Sequence, residues 1–125
     1  MSTQPTVVWT EIPVSDLAAS IAFYNAVFDW QMEPMEMAGQ QVAAFGMNGI
    51  GGNLVEGAPG AGTGAVIHML APGGLAATRA RAEKAGARVE GDETEVRPGR
   101  YVIVHDPDGN RIGLFEPHAA STRAA

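Results

Sequence analysis

Apolar and polar positions along the chain fall into two runs of the same order. Residues 7–14, Val-Val-Trp-Thr-Glu-Ile-Pro-Val, are β-branched and mostly apolar, which predicts a strand with Pro13 near its end. Ser15 or Asp16 then supplies a helix N-cap. Beyond it Leu17, Ile21, Tyr24 and Phe28 recur at helical spacing, with Ala18, Ala19, Ala22 and Ala26 between them. Three short extended segments follow at residues 30–37, 41–47 and 52–56, divided by the hairpin-type breaks Gly39-Gln40 and Asn48-Gly49. The first half therefore reads βαβββ.

Residues 57–64, Gly-Ala-Pro-Gly-Ala-Gly-Thr-Gly, are too glycine-rich for either period and predict a flexible connector. Beyond it the order recurs. A strand at 65–71 leads through the turn Pro72-Gly73-Gly74 to a helix at 75–85, which Gly86 closes as its C′ residue. Extended segments at 88–96, 101–105 and 111–116 complete a second βαβββ unit. A unit with one helix over one sheet face leaves the other face needing cover. The expected fold is α+β, with two βαβββ modules forming a cup-shaped, partly open barrel; a single α+β sheet of ordinary topology is the alternative. One domain is expected over 1–117, with module one at about 6–57 and module two at about 65–117, followed by a flexible tail at 118–125.

Composition narrows the function classes. Eight Lys and Arg against 14 Asp and Glu leave a formal charge of -6, and Lys84 is the only lysine, so no basic stripe exists to contact phosphates. Nucleic acid is not an expected partner. The absence of Cys excludes disulfides, thiolate metal sites and a cysteine nucleophile. No apolar run approaches the roughly 18–20 residues of a membrane span, and the first residues lack the charged and apolar regions of a secretory leader, so a cytoplasmic protein without membrane contact is expected. Gly49-Ile-Gly-Gly52 has neither the spacing nor the following helix of a phosphate cradle, and no nucleophile elbow is present. No cofactor is expected.

Two stretches carry a family resemblance. Residues 11–30, Glu-Ile-Pro-Val-Ser-Asp-Leu-Ala-Ala-Ser-Ile-Ala-Phe-Tyr-Asn-Ala-Val-Phe-Asp-Trp, and residues 105–116, His-Asp-Pro-Asp-Gly-Asn-Arg-Ile-Gly-Leu-Phe-Glu, together resemble the vicinal oxygen chelate superfamily. That group holds glyoxalase I, bleomycin-resistance proteins and extradiol dioxygenases. Without the family, both stretches have structural readings: Asp16 caps a helix whose Phe23 and Tyr24 pack a core, while Pro107, Gly109, Asn110 and Asp106 build a turn. The resemblance implies a homodimer and, in metal-dependent members, ligands projecting into the cup. Counted onto this chain, those ligand positions fall on Trp9, Ile67 and Gly113, and a one-residue slip in the 72–74 turn would bring in His68 instead of Ile67. A protein-held divalent ion normally needs three or more oxygen or nitrogen ligands. No metal centre is therefore expected.

The interior of such a cup is then read from alternation. Trp9, Glu11 and Pro13 share one face of the first strand, and Val8, Thr10, Ile12 and Val14 share the face toward the helix. Trp9, Glu11, Phe45, Met47, His68 and Phe115 are the candidate binding residues, with Ile67 or Met69 as further wall. A desolvated Glu11 carboxylate would have a raised pKa suited to a general base, or would be satisfied by Arg111 or a backbone donor. His68, near neutral in pKa, is its natural acid/base partner, and His105 braces the closing turn. The expected function is binding and sequestration of a small aromatic or polycyclic molecule, neutral or cationic. An alternative is a lyase, isomerase or cyclase using Glu11 and His68, and a third reading has a cup filled by its own side chains that acts through protein contacts.

Overall fold

The computed structural model describes residues 9–46, 51–60 and 65–118. Module one contains β1 (Trp9–Val14), α1 (Leu17–Phe28), β2 (Pro34–Met37), β3 (Gln40–Phe45) and β4 (Gly51–Glu56). Module two contains β5 (Ile67–Leu70), α2 (Leu75–Lys84), β6 (Arg88–Val96), β7 (Gly99–His105) and β8 (Arg111–Pro117). The strands form two four-stranded sheets, ordered β1-β4-β3-β2 and β5-β8-β7-β6. In each, the first strand lies parallel to the last and the remaining neighbours are antiparallel. The fold is α+β, and the two sheets do not close, leaving a cup-shaped open barrel. No helix among the described residues is long and apolar enough to cross a membrane.

Each helix starts where a carboxylate meets its first backbone N–H groups. Asp16 caps α1 by accepting from Ala19 N at 3.1 Å. The N-cap of α2 is Gly74, which has no side chain to offer, and Glu116 at the end of β8 accepts from Leu75 N at 2.6 Å in its place. Glu56 at the end of β4 stands in the same relation to Leu17 N, at 3.4 Å. The hydrogen bond from Leu75 N–H, and then Arg100, hold the Glu116 carboxyl below its ordinary pKa.

Of the expected boundaries that move, two have a local cause. The strand expected from residue 30 begins at Pro34, because Asn25 accepts from Met32 N at 2.9 Å and donates to Met32 O at 3.2 Å, holding that segment as a loop. Trp30 is thereby free to stack on Phe28 and Phe45, with centroids 4.9 and 4.7 Å apart. The first hairpin turns on Ala38-Gly39, both in the left-handed region at φ 53° and 82°, because Met37 pairs with Gln40. At the other end His118 is tied down: its N–H donates to Pro98 O at 2.9 Å and its Nε2 meets Glu95 at 2.9 Å.

A single buried cluster spans both modules, with Ile12, Tyr24, Phe28 and Leu54 from the first and Leu75, Val102, Ile112 and Leu114 from the second. The helices lie together on one side of the sheets, where Arg81 Nε on α2 donates to Val27 O on α1 at 3.0 Å. The turn before β8 completes the junction. Buried Asp106 accepts from Tyr24 Oη at 2.8 Å and from the N–H groups of Asp108 and Asn110 at 2.9 and 2.8 Å, while Asn110 Nδ2 donates to Pro13 O at 2.9 Å. Burial first, and the Asp106 charge second, push the Tyr24 phenol well above its ordinary pKa, so it remains a donor.

Candidate functional site

Strand alternation assigns the faces. On β1, Ile12 and Val14 are buried toward α1, while Trp9 and Glu11 turn away and are exposed. On β5, Met69 is buried while His68 and Leu70 turn away. Because both helices occupy one side, these outward residues share the opposite, open side. Among the described residues three large apolar side chains remain exposed there, Trp9, Met35 and Leu70.

The register equates positions in the two modules. Glu11 pairs with Asn53, three residues before the capping Glu56, and His68 pairs with Gly113, three residues before the capping Glu116. Ile67 pairs with the buried Ile112 and faces the helices, so the expected ligand position at Ile67 is corrected to His68 for the open side. The physical cause is the turn at 72–74: His68 stands seven positions before Leu75, whereas its register equivalent Glu11 stands six before Leu17.

His68 lies over Gly113, where an added Cβ would collide with its Nδ1. Its ring meets Tyr101 edge-on at 4.8 Å and Phe115 edge-on at 5.9 Å, and Tyr101 stacks on Phe115 at 6.4 Å. Burial lowers the His68 pKa, so the imidazole is neutral at physiological pH. In module one the Trp9 indole Nε1 donates to Oδ1 of the fully buried Asn53 at 2.7 Å. Glu11 is exposed and has no hydrogen-bond or ion-pair partner among the described residues, so the desolvation expected of it is not found. The pairing of Glu11 with Arg111 is likewise corrected. Glu90 takes two bonds from Arg111, at 3.2 and 2.9 Å, and also meets His105 Nε2 at 2.7 Å. Those bonds, with Arg111 first, hold the Glu90 carboxyl below its ordinary pKa.

Of the remaining expected wall, Phe115 lies on the open side with His68. Phe45 does not join Trp9: it pairs with Gly52, covers it, and stacks on Trp30 under the helix side. It reaches His68 only through a cavity of about 270 Å³ at the junction of the sheets, lined also by Thr10, Trp30 and Leu70. A second cavity of about 210 Å³ at the same junction is lined by Glu11, Pro13, Ile67, Asn110 and Arg111. Met69 packs in the core, and Met47 lies outside the described residues. Tyr101 and Asn53 were not anticipated. Tyr101 alternates with the buried Val102 and Val104, a period-two signal for the open face. Asn53 is a polar residue beside Leu54 and Val55 in a strand, a place that demands a partner. Among the described residues no three His, Cys, Asp or Glu side chains gather as a metal-binding group.

Residues 6–114 match the family model described as Glyoxalase/Bleomycin resistance protein/Dioxygenase superfamily. No curated protein matches the chain. Among solved structures, the genomically encoded fosfomycin resistance protein FosX from Listeria monocytogenes is 18% identical, with 97% of this chain and 98% of that one covered at a TM-score of 0.67. TnmS3, an antibiotic binding protein from Streptomyces, is 22% identical over 94% of this chain and all (100%) of its own, at a TM-score of 0.62. A glyoxalase-related enzyme from Fulvimarina pelagi is 20% identical over 90% of this chain and 88% of its own, at a TM-score of 0.66. At these identities the likeness concerns the fold.

Proposed function

The chain belongs to the Glyoxalase/Bleomycin resistance protein/Dioxygenase superfamily, a fold that hosts both enzymes and binding proteins, and we propose that it binds a planar aromatic or polycyclic small molecule on its open side, without a resident metal. The observation that carries this reading is the outward cluster of His68, Tyr101 and Phe115, three rings facing the side on which Trp9 is also exposed. Flat rings already held in place lose little freedom when a ligand stacks on them. The acidic chain and Glu11, which has no partner among the described residues, favour a neutral or cationic ligand over an anionic one. The antibiotic-binding relative is consistent with sequestration as the role.

The donor chemistry does not fit the divalent ion of metal-dependent relatives. Of the positions concerned, Trp9 offers an N–H that is already donated to Asn53, Gly113 has no side chain, and only His68 and Glu11 bear lone pairs suited to a metal. Pairing of two copies is part of the proposal, since Trp9, Met35 and Leu70 leave apolar surface uncovered on the open side. One observation favours the lyase, isomerase or cyclase reading instead: Glu11 and His68 hold equivalent register positions on the two edge strands nearest the junction.

Fluorescence titration against a panel of planar aromatic compounds tests binding. Quenching of the wild type and a roughly tenfold loss of affinity in Trp9→Ala or Tyr101→Ala are expected. A panel without a single binder, with no turnover of any member, would sink the reading.

A further inference from the structure

We infer that Asn53 is a positioning residue that sets the orientation of the Trp9 ring on the open side; the inference rests on that side being the ligand site. Trp9 stands at the start of an edge strand and is 38% exposed, so packing alone leaves its ring several rotamers. Its single polar atom is committed: Nε1–H donates to Asn53 Oδ1 at 2.7 Å. Asn53 is fully buried in the middle of the sheet, between register partners Glu11 and Ala44, and its Nδ2 donates to Leu54 O at 3.2 Å. That second bond fixes which way the amide points and so where Oδ1 is presented.

An apolar residue would fill this site without the cost of burying an amide, so packing does not account for Asn53. The equivalent residue in module two is Gly113, beneath His68. The two modules thus seat an outward ring from the same register position by different means, a hydrogen bond in one and a missing Cβ in the other.

Trp30→Phe leaves Trp9 as the only indole, since the chain has two Trp. In that background, solvent exchange of the indole Nε1–H, read by NMR, and the anisotropy of Trp9 emission report the ring directly, with no ligand present. Asn53→Leu is expected to speed exchange by roughly tenfold and to lower the anisotropy, and Asn53→Asp, which keeps an acceptor, to restore both. Asn53→Ser serves as the acceptor-shortened variant if the leucine does not fold. Unchanged exchange and anisotropy in a folded Leu or Ser variant overturn the inference. Titration with acridine orange separates the two readings. Weakening by Asn53→Leu that matches Trp9→Phe supports both. A freed Trp9 ring with affinity unchanged by Asn53→Leu and by Trp9→Ala sustains the orientation by Asn53 and overturns the role of Trp9 in binding.

Discussion

The two modules share an element order and a pairing scheme, yet they place most of their aromatic residues on opposite faces. Module one keeps five of its rings under the helix, with Trp9 as the exception on the open side: Phe23, Tyr24, Phe28, Trp30 and Phe45 form a chain of contacts from 4.7 to 6.3 Å. Module two fills the corresponding layer with Leu75, Val102, Val104, Ile112 and Leu114, and turns Tyr101 and Phe115 outward around His68. A ring under the helix contributes by leaving water, whereas a ring on the open side has surface still to lose. Module one is therefore the better candidate for holding the fold together, and module two, with Trp9, for holding a ligand.

That contrast is breakable. The largest expected effect is on stability: Trp30→Ala should cost about 3 kcal/mol in urea unfolding, and Tyr101→Ala about 1 kcal/mol or less. Equal losses would end the division of labour. Next comes Gly113→Ala, where the added Cβ meets His68 and no space exists for it. A loss of about 1–3 kcal/mol is expected, together with loss of aromatic-ligand affinity, while Gly39→Ala, with nothing nearby and a φ of 82°, should affect stability alone.

The helix caps sharpen the comparison through pH. Glu116 has a folded pKa below its unfolded value, so its contribution is fully present above the ordinary carboxylate pKa, about 4.3, and is lost as pH falls through the lower folded value. The difference in melting temperature between wild type and Glu116→Gln should thus be widest near neutrality and narrow below about pH 4. Glu56→Gln, whose contact with Leu17 N is longer, should move the midpoint less. The smallest effect expected is that of Glu11→Gln on affinity for a neutral aromatic compound. A loss of turnover by roughly 100-fold in that variant, on any compound that binds, would instead make Glu11 a base.

How far these features were legible follows from what fixes each one. The βαβββ repeat was readable because alternation and helical spacing are local, and so was the closing turn, whose Asp106 accepts from the backbone N–H groups of Asp108 and Asn110, a few residues away. The face of His68 was not readable by counting from the second helix, because one residue in the 72–74 turn reverses every side chain on a short strand. Phe45 was assigned to the cup, yet it packs on Trp30, a contact made by a loop that Asn25 holds out of the sheet. Glu11 was expected to be desolvated, and solvent reaches it because the two sheets stay open where they meet. Asn53 and Tyr101 needed the register, which sets strand against strand and has no local signature.

The hydrogen bond from Tyr24 to Asp106 joins residues 82 positions apart. Closing so long a loop is entropically slow, and contacts of this span form late, after the local turns and helices have organised. Tyr24→Phe should therefore leave the refolding rate nearly unchanged and accelerate unfolding, as a contact absent from the transition state does. One buried cluster spans both modules and the turn that carries Asp106 joins them, so the chain is expected to fold and unfold in a single cooperative transition rather than module by module.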